Sequence, residues 1–131
     1  MNAEVDEINW EDLRAAAGLY DTLNLKQSNM FTKPESGEIN GTSFFSDEVI
    51  ATVDELTKVL GPADYDDNDG ADKINFQWAR KTLDGIVFTI YDWKHYRSLD
   101  RDEHICWHIG AHGADQSKKV WSAVVKALNA R

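Results

Sequence analysis

The chain has 131 residues, 42% hydrophobic and 11% aromatic, which is enough for one folded domain with a sizeable core. Its formal net charge is −9, which argues against direct binding of DNA or RNA phosphates, and no apolar run reaches the roughly 20 residues of a membrane span. One cysteine excludes an internal disulfide framework, and the acidic start MNAEVDEINWEDL lacks the pattern of a signal peptide, so the expected setting is reducing and cytoplasmic.

The charge is unevenly spread. Residues 1–72 hold 17 Asp/Glu against 4 Lys/Arg, a balance of −13, and residues 73–131 hold 6 against 10, a balance of +4. Such a polar molecule suits a basic protein partner, or competition with nucleic acid for one. The plainer reading is that the acidic surface aids solubility.

Residues 1–8 read as a frayed terminus. Asn9 can cap a helix from Trp10 to about Leu23, with Glu11 and Asp12 in the first turn, where negative charge suits the helix dipole. Residues 25–42 carry Pro34, Gly37 and Gly41 and read as a linker. The first 40 residues are therefore expected as an appended arm, and residues 41–131 as a compact domain. Thr42 to Ile50 is a short strand candidate. Thr52-Val53-Asp54-Glu55 is a capping box for a helix whose apolar face is Val53, Leu56, Val59 and Leu60, ended by Gly61 and Pro62.

The loop PADYDDNDGADK follows, with Asp64, Asp66, Asp67, Asp69 and Asp72. It fails as a calcium loop. Counting from Asp64 puts Asp69 where the tight-turn glycine belongs, and aligning on Gly70 puts Tyr65 in the first ligand position. A solvated acidic loop or an acidic partner-binding patch remains.

Residues 73–93, KINFQWARKTLDGIVFTIYDW, read as one β-hairpin closed by Asp84-Gly85. With a two-residue loop, Leu83 faces Ile86 and Trp78 faces Tyr91. Ile74, Phe76 and Trp78 then share a face with Tyr91 and Trp93, and Leu83, Ile86, Phe88, Ala79 and Ile90 share the other. The aromatic cluster is read as core, with an aromatic binding surface as the alternative. Residues 95–103 form a polar connection. His104 to Gly110 is a further strand, with Ile105, Trp107 and Ile109 on one face and His104, Cys106 and His108 on the other. Gly110 to Ala114 is a hinge into a last helix, capped by Asp115 or Ser117, with a stripe of Val120, Trp121, Val124, Val125 and Leu128.

The cluster that most resembles an enzyme's is His104, Cys106, His108 and His112. Two alternate strand residues can share a metal, but three in a row span about 13 Å, too far for one zinc. A site would need two of them plus His112 or an aspartate. A Cys/His nucleophilic pair lacks an orienting group and an oxyanion hole. No P-loop or G-x-G-x-x-G is present, and Lys73, Arg80, Lys81 and Lys94 are too few for nucleic-acid readout against the net charge.

Phe76 and Trp78, then Asp84-Gly85, FTIYDWK (88–94) and WHIG (107–110) before a C-terminal helix, with LGPADY (60–65) upstream, resemble a set of small bacteriophage-encoded proteins over roughly residues 42–130. The resemblance transfers no catalytic residue. It implies a phage accessory protein, a class in which small acidic folds block host defence or host enzymes by binding them.

The expected fold is α+β: an antiparallel sheet of three or four strands in β-α-β-β-β-α order, helices on one face, and an N-terminal helical arm. The expected function is a non-enzymatic acidic interaction protein without cofactor. It would be a phage-encoded inhibitor of a bacterial defence system, of anti-CRISPR or anti-restriction type, acting in the host cytoplasm. Its partner would be a bacterial host protein such as a nucleic-acid-handling enzyme, contacted through Asp64, Asp66, Asp67, Asp69 and Asp72, with no direct contact to nucleic acid or membrane. The alternatives are a metal-binding domain or metal-dependent enzyme using His104, Cys106, His108 and His112, and a self-assembling homo-oligomer that exchanges the arm.

Overall fold

A computed structural model describes residues 30–130. The expected helix from Trp10 to Leu23 lies outside the described residues. Six strands and two helices follow in order: β1 (Phe31–Thr32), β2 (Ser43–Ala51), α1 (Val53–Leu60), β3 (Tyr65–Asp66), β4 (Phe76–Thr82), β5 (Val87–Tyr91), β6 (Ile105–Ala111) and α2 (Ala114–Ala130). They build one sheet in the order β1-β4-β5-β6-β2, with β3 also on β4, and every pairing is antiparallel. The fold is α+β, as expected, but the sheet has six strands rather than three or four. β1 and β3 change the element order. Two residues are too few to show alternation, so neither strand was visible in the pattern.

One face of the sheet holds the core. β4 turns Phe76, Trp78, Arg80 and Thr82 inward, and β6 turns in Ile105, Trp107 and Ile109. The Trp78 and Trp107 rings meet edge to face at 5.5 Å, a geometry that adds roughly 0.5–1.5 kcal/mol beyond area burial. α1 and α2 close over this face with Val53, Leu56, Val59 and Leu60, and with Val120, Val124, Ala127 and Leu128. The capping box forms as expected: Thr52 Oγ1 accepts from Glu55 N at 3.0 Å and Glu55 Oε1 from Thr52 N at 3.0 Å. α2 starts at Ala114, with Asp115 in its first turn. Ser117 is no cap, because it lies inside α2 with its N–H donating to Gly113 O at 2.9 Å, and its hydroxyl donates to Asp47 at 2.7 Å. Within the stretch expected as linker, Phe31 is buried and meets the Phe88 ring at 5.6 Å.

The hairpin register differs from expectation by one residue. Trp78 faces Ile90 and Gln77 faces Tyr91. The loop has three residues, Leu83-Asp84-Gly85. Thr82 N donates to Ile86 O at 2.9 Å and Gly85 N to Thr82 O at 2.9 Å. Gly85 takes φ +93°, which suits a turn ending in a left-handed residue. The Thr82 hydroxyl selects this closure by donating to Asp84 and accepting from Ile86 N. A slip of one residue exchanges faces. Phe88 and Ile90 therefore join Phe76 and Trp78 in the core, and Tyr91 and Trp93 turn to the open face. Leu83 ends 75% exposed.

Candidate functional site

The acidic loop between β3 and β4 is held at many points. Asn68 Oδ1 accepts from Leu99 N at 2.7 Å, Asn68 Nδ2 donates to Leu99 O at 2.8 Å, and Ser98 Oγ donates to Asn68 O at 2.7 Å. Beneath it lies a buried pair, Asn75 and Asp92. Asp92 Oδ1 accepts from the backbone N–H of Asn75 at 2.8 Å and of Phe76 at 2.9 Å. The Asn75 amide donates to Asp92 Oδ2 at 3.1 Å and to Arg97 O at 2.9 Å, while its oxygen accepts from Gly70 N at 3.1 Å. A buried carboxylate is tolerated where it gathers such donors. The loop is thus fastened to residues 97–99, and Asp67, Asp69 and Asp72 stand exposed upon it, with Asp66 exposed at the end of β3. Their field is felt locally: the Tyr65 hydroxyl is pushed above its usual pKa, first by burial, then by Asp67, Asp72 and Asp69.

Asp64 belongs to a different task. Its backbone N–H donates to Gln77 O at 2.9 Å. Its carboxylate accepts from Ala79 N at 2.7 Å and from Arg80 Nη1 at 2.7 Å, and pairs with Lys33. Burial works against the charge, but these donors outweigh it and the pKa falls below the usual carboxylate value. Arg80 is itself buried. Its remaining donors satisfy the end of α1, Nε to Leu60 O at 2.7 Å and Nη2 to Pro62 O at 2.8 Å, while Trp78 Nε1 takes Gly61 O at 2.7 Å. These contacts settle carbonyls that a helix terminus leaves unpaired.

The strand histidines face outward, as their alternation implies. Each has its own neighbour. His104 Nε2 is 3.8 Å from Glu55, His108 Nε2 is 3.3 Å from Glu48, and His112 Nε2 lies 2.8 Å from Glu38 O. Cys106 is exposed. Among the described residues no three His, Cys, Asp or Glu side chains gather in a way that could hold a metal ion.

The open face carries a feature that sequence reasoning missed. Phe44 stacks on His108 at 3.8 Å, and Tyr91 and Trp93 surround the same imidazole at 5.4 and 6.2 Å. Lys73 and Lys94 lie over the Trp93 ring. Burial lowers the His108 pKa, and Glu48 only partly offsets it. The one-residue error in register hid this cluster by placing Tyr91 and Trp93 with Trp78. Trp121, expected in the buried stripe of α2, is 42% exposed and donates from Nε1 to Glu48 O at 3.0 Å. No helix of the described residues is long and apolar enough to cross a membrane. No family model, no curated protein and no solved structure matches the chain.

Proposed function

We propose that this chain is a non-enzymatic interaction protein that captures a bacterial host protein through the exposed carboxylates of Asp66, Asp67, Asp69 and Asp72. One observation carries the reading. The loop that bears Asp67, Asp69 and Asp72, next to Asp66 at the end of β3, is fastened by Asn68, Asn75 and Asp92. A merely solubilising loop needs no such fastening, whereas a preformed surface reduces the ordering entropy lost on binding. Carboxylates held in a fixed array suit a basic surface such as a nucleic-acid-binding channel, where they compete with phosphates. The resemblance of residues 42–130 to bacteriophage accessory proteins supports an inhibitor of a defence or nucleic-acid-handling enzyme, of anti-CRISPR or anti-restriction type. Asp64 leaves the contact set, because its carboxylate is engaged by Ala79, Arg80 and Lys33. The metal-binding alternative rests on residue types alone.

The test is affinity capture from bacterial lysate, with wild type and a variant carrying Asp66→Lys, Asp67→Lys, Asp69→Lys and Asp72→Lys. The expected result is one dominant basic or nucleic-acid-handling partner that the variant loses while its thermal unfolding is unchanged. Equal capture by a folded variant overturns the loop assignment.

A further inference from the structure

We propose that the outer edge of β2 takes up an extended basic segment of the partner protein as an added strand. The inference rests on the interaction reading above and adds a second contact surface to it.

The two edges of the sheet are finished differently. On β4, β1 pairs at Lys81 and Thr82, β3 pairs at Phe76 and Gln77, and the Asp64 carboxylate takes the Ala79 N–H between them. Among the described residues no strand lies beyond β2. The direction of its backbone groups follows from the hairpin. The Thr82 N to Ile86 O bond sets the alternation in β4 and β5, so Thr89 and Tyr91 bond toward β6. Continued across β6, the alternation turns Val49 and Ala51 toward β6 and Glu48 and Ile50 outward. The Trp121 bond to Glu48 O at 3.0 Å agrees with this. The Ile50 N–H and C=O therefore face outward, which is how β-addition begins.

Side chains point the same way. Of the seven exposed large hydrophobics among the described residues, Phe44, Phe45 and Ile50 lie in β2, and Trp121 lies beside it. A concentration of this kind on an edge marks a contact surface rather than scattered exposure. Next to it runs a groove of about 390 Å³, lined by Ile50, Trp121, Val125 and Leu128 together with Glu48, Glu55 and His104. The Ile50, Val125 and Leu128 part of its lining takes an aliphatic side chain. The irregularity between Phe44 and Glu48, with Ser46 at φ +75°, confines regular addition to the stretch from Glu48 to Ala51.

Charge selects the occupant. Glu48 sits at the outward register of β2 with its side chain 44% exposed, whereas Asp47 is taken up by Ser117 and Lys118 and Glu55 by the capping box. Two copies paired about Glu48 would set their Glu48 carboxylates opposite each other, and like charges directly opposite are destabilising. A segment that alternates Lys or Arg with Val, Ile or Leu meets the Glu48 carboxylate and fills the groove.

The probe is a short synthetic peptide of alternating Lys and Val, with an alternating Glu and Val peptide and a backbone N-methylated Lys/Val peptide as controls. Binding to the full chain is read by calorimetry and by amide hydrogen exchange. The expected result is binding of the Lys/Val peptide with exchange at the Ile50 amide slowed at least about tenfold, and at least about tenfold weaker binding by both controls. Ile50→Lys, at an exposed position, and Val125→Lys, at a half-buried one in the groove, weaken binding by a similar factor. Equal binding of the Glu/Val peptide overturns the proposal, as does slowing that leaves Ile50 unaffected. So does Ile50 protection without peptide that tracks self-association or disappears when residues 1–29 are deleted. In lysate capture the two surfaces separate. A host protein lost by the four-Asp variant but kept by Ile50→Lys refutes the edge and leaves the loop. The reverse pattern refutes the loop and leaves the edge.

Discussion

The Asp64 carboxylate accepts the backbone N–H of Ala79 at 2.7 Å and so closes the gap between β1 and β3 on the sheet edge. The same oxygen meets the buried Arg80 guanidinium at 2.7 Å. Asp64→Ala leaves both donors without this acceptor. The expected loss is about 2 kcal/mol or more, since unpairing a buried charge is more damaging than losing a surface pair. Asp66→Ala, at the exposed end of β3, should change stability by less than about 0.5 kcal/mol. Urea unfolding at pH 7 compares the two. Because the folded pKa of Asp64 is lowered, its contribution is present above the unfolded value near 3.9 and is lost as pH falls through the folded one.

Much of this arrangement was legible in the chain, and the reasons are local. Thr52 and Glu55 are three apart and satisfy each other, so the start of α1 follows from spacing alone. The period of two in Ile105, Trp107 and Ile109 fixed which face β6 buries. The hairpin is legible as a hairpin but its register is not, because the loop length depends on the Thr82 hydroxyl engaging Asp84 and Ile86. That contact has no signature in apolar alternation. Asp64 was indistinguishable from Asp66 by composition. Only the tertiary approach of Arg80 and Ala79 assigns one to the sheet edge and leaves the other on the surface.

His108 should make stability fall on mild acidification. Its imidazole is half-buried between Phe44 and Trp93, with Glu48 at 3.3 Å, and the nearby His95 also disfavours its cation. Burial is the main cause of its lowered pKa. The unfolded chain then binds this proton near pH 6.5 while the folded chain resists it. The contribution is complete above about pH 6.5 and declines below it until the folded pKa is passed. Thermal unfolding at pH 7.5 and 5.5 should show a smaller difference for His108→Gln than for wild type. An unchanged difference would place the titration on another group.

Gly70 should not tolerate alanine. It sits at φ +77°, and a Cβ there would lie 2.6 Å from Arg97 Cα and 2.7 Å from Arg97 C, both backbone atoms that cannot step aside. The close approach is what lets Asn75 bridge Gly70 N and Arg97 O. Strain at such a position and the clash together should lower stability by about 2 kcal/mol or more. The readout that distinguishes a local effect is amide exchange in the loop. Gly70→Ala should speed exchange at Leu99 N, which donates to Asn68, and should weaken host capture even though every aspartate is retained. Normal capture by a destabilised Gly70→Ala would mean that the shape of the loop is irrelevant to binding.

Trp107 and Trp121 should separate stability from recognition. Trp107 is fully buried, packs against Phe76 and Trp78, and donates to Ala51 O at 2.9 Å. Trp107→Ala should lower stability by about 3–5 kcal/mol. Trp121 lies on the accessible border of α2, with one hydrogen bond to the outer carbonyl of Glu48. Trp121→Ala removes that bond and part of a half-exposed ring, a loss of about 1 kcal/mol. Spacing alone put Trp121 in the same stripe as Val120 and Val124. The two variants test whether it faces the core or the groove. Chemical denaturation should find Trp121→Ala folded and close to wild type. Peptide addition to β2 should nevertheless be weakened, because the groove wall is gone. A loss of stability for Trp121→Ala comparable to that for Trp107→Ala would return Trp121 to the core and remove the groove from consideration.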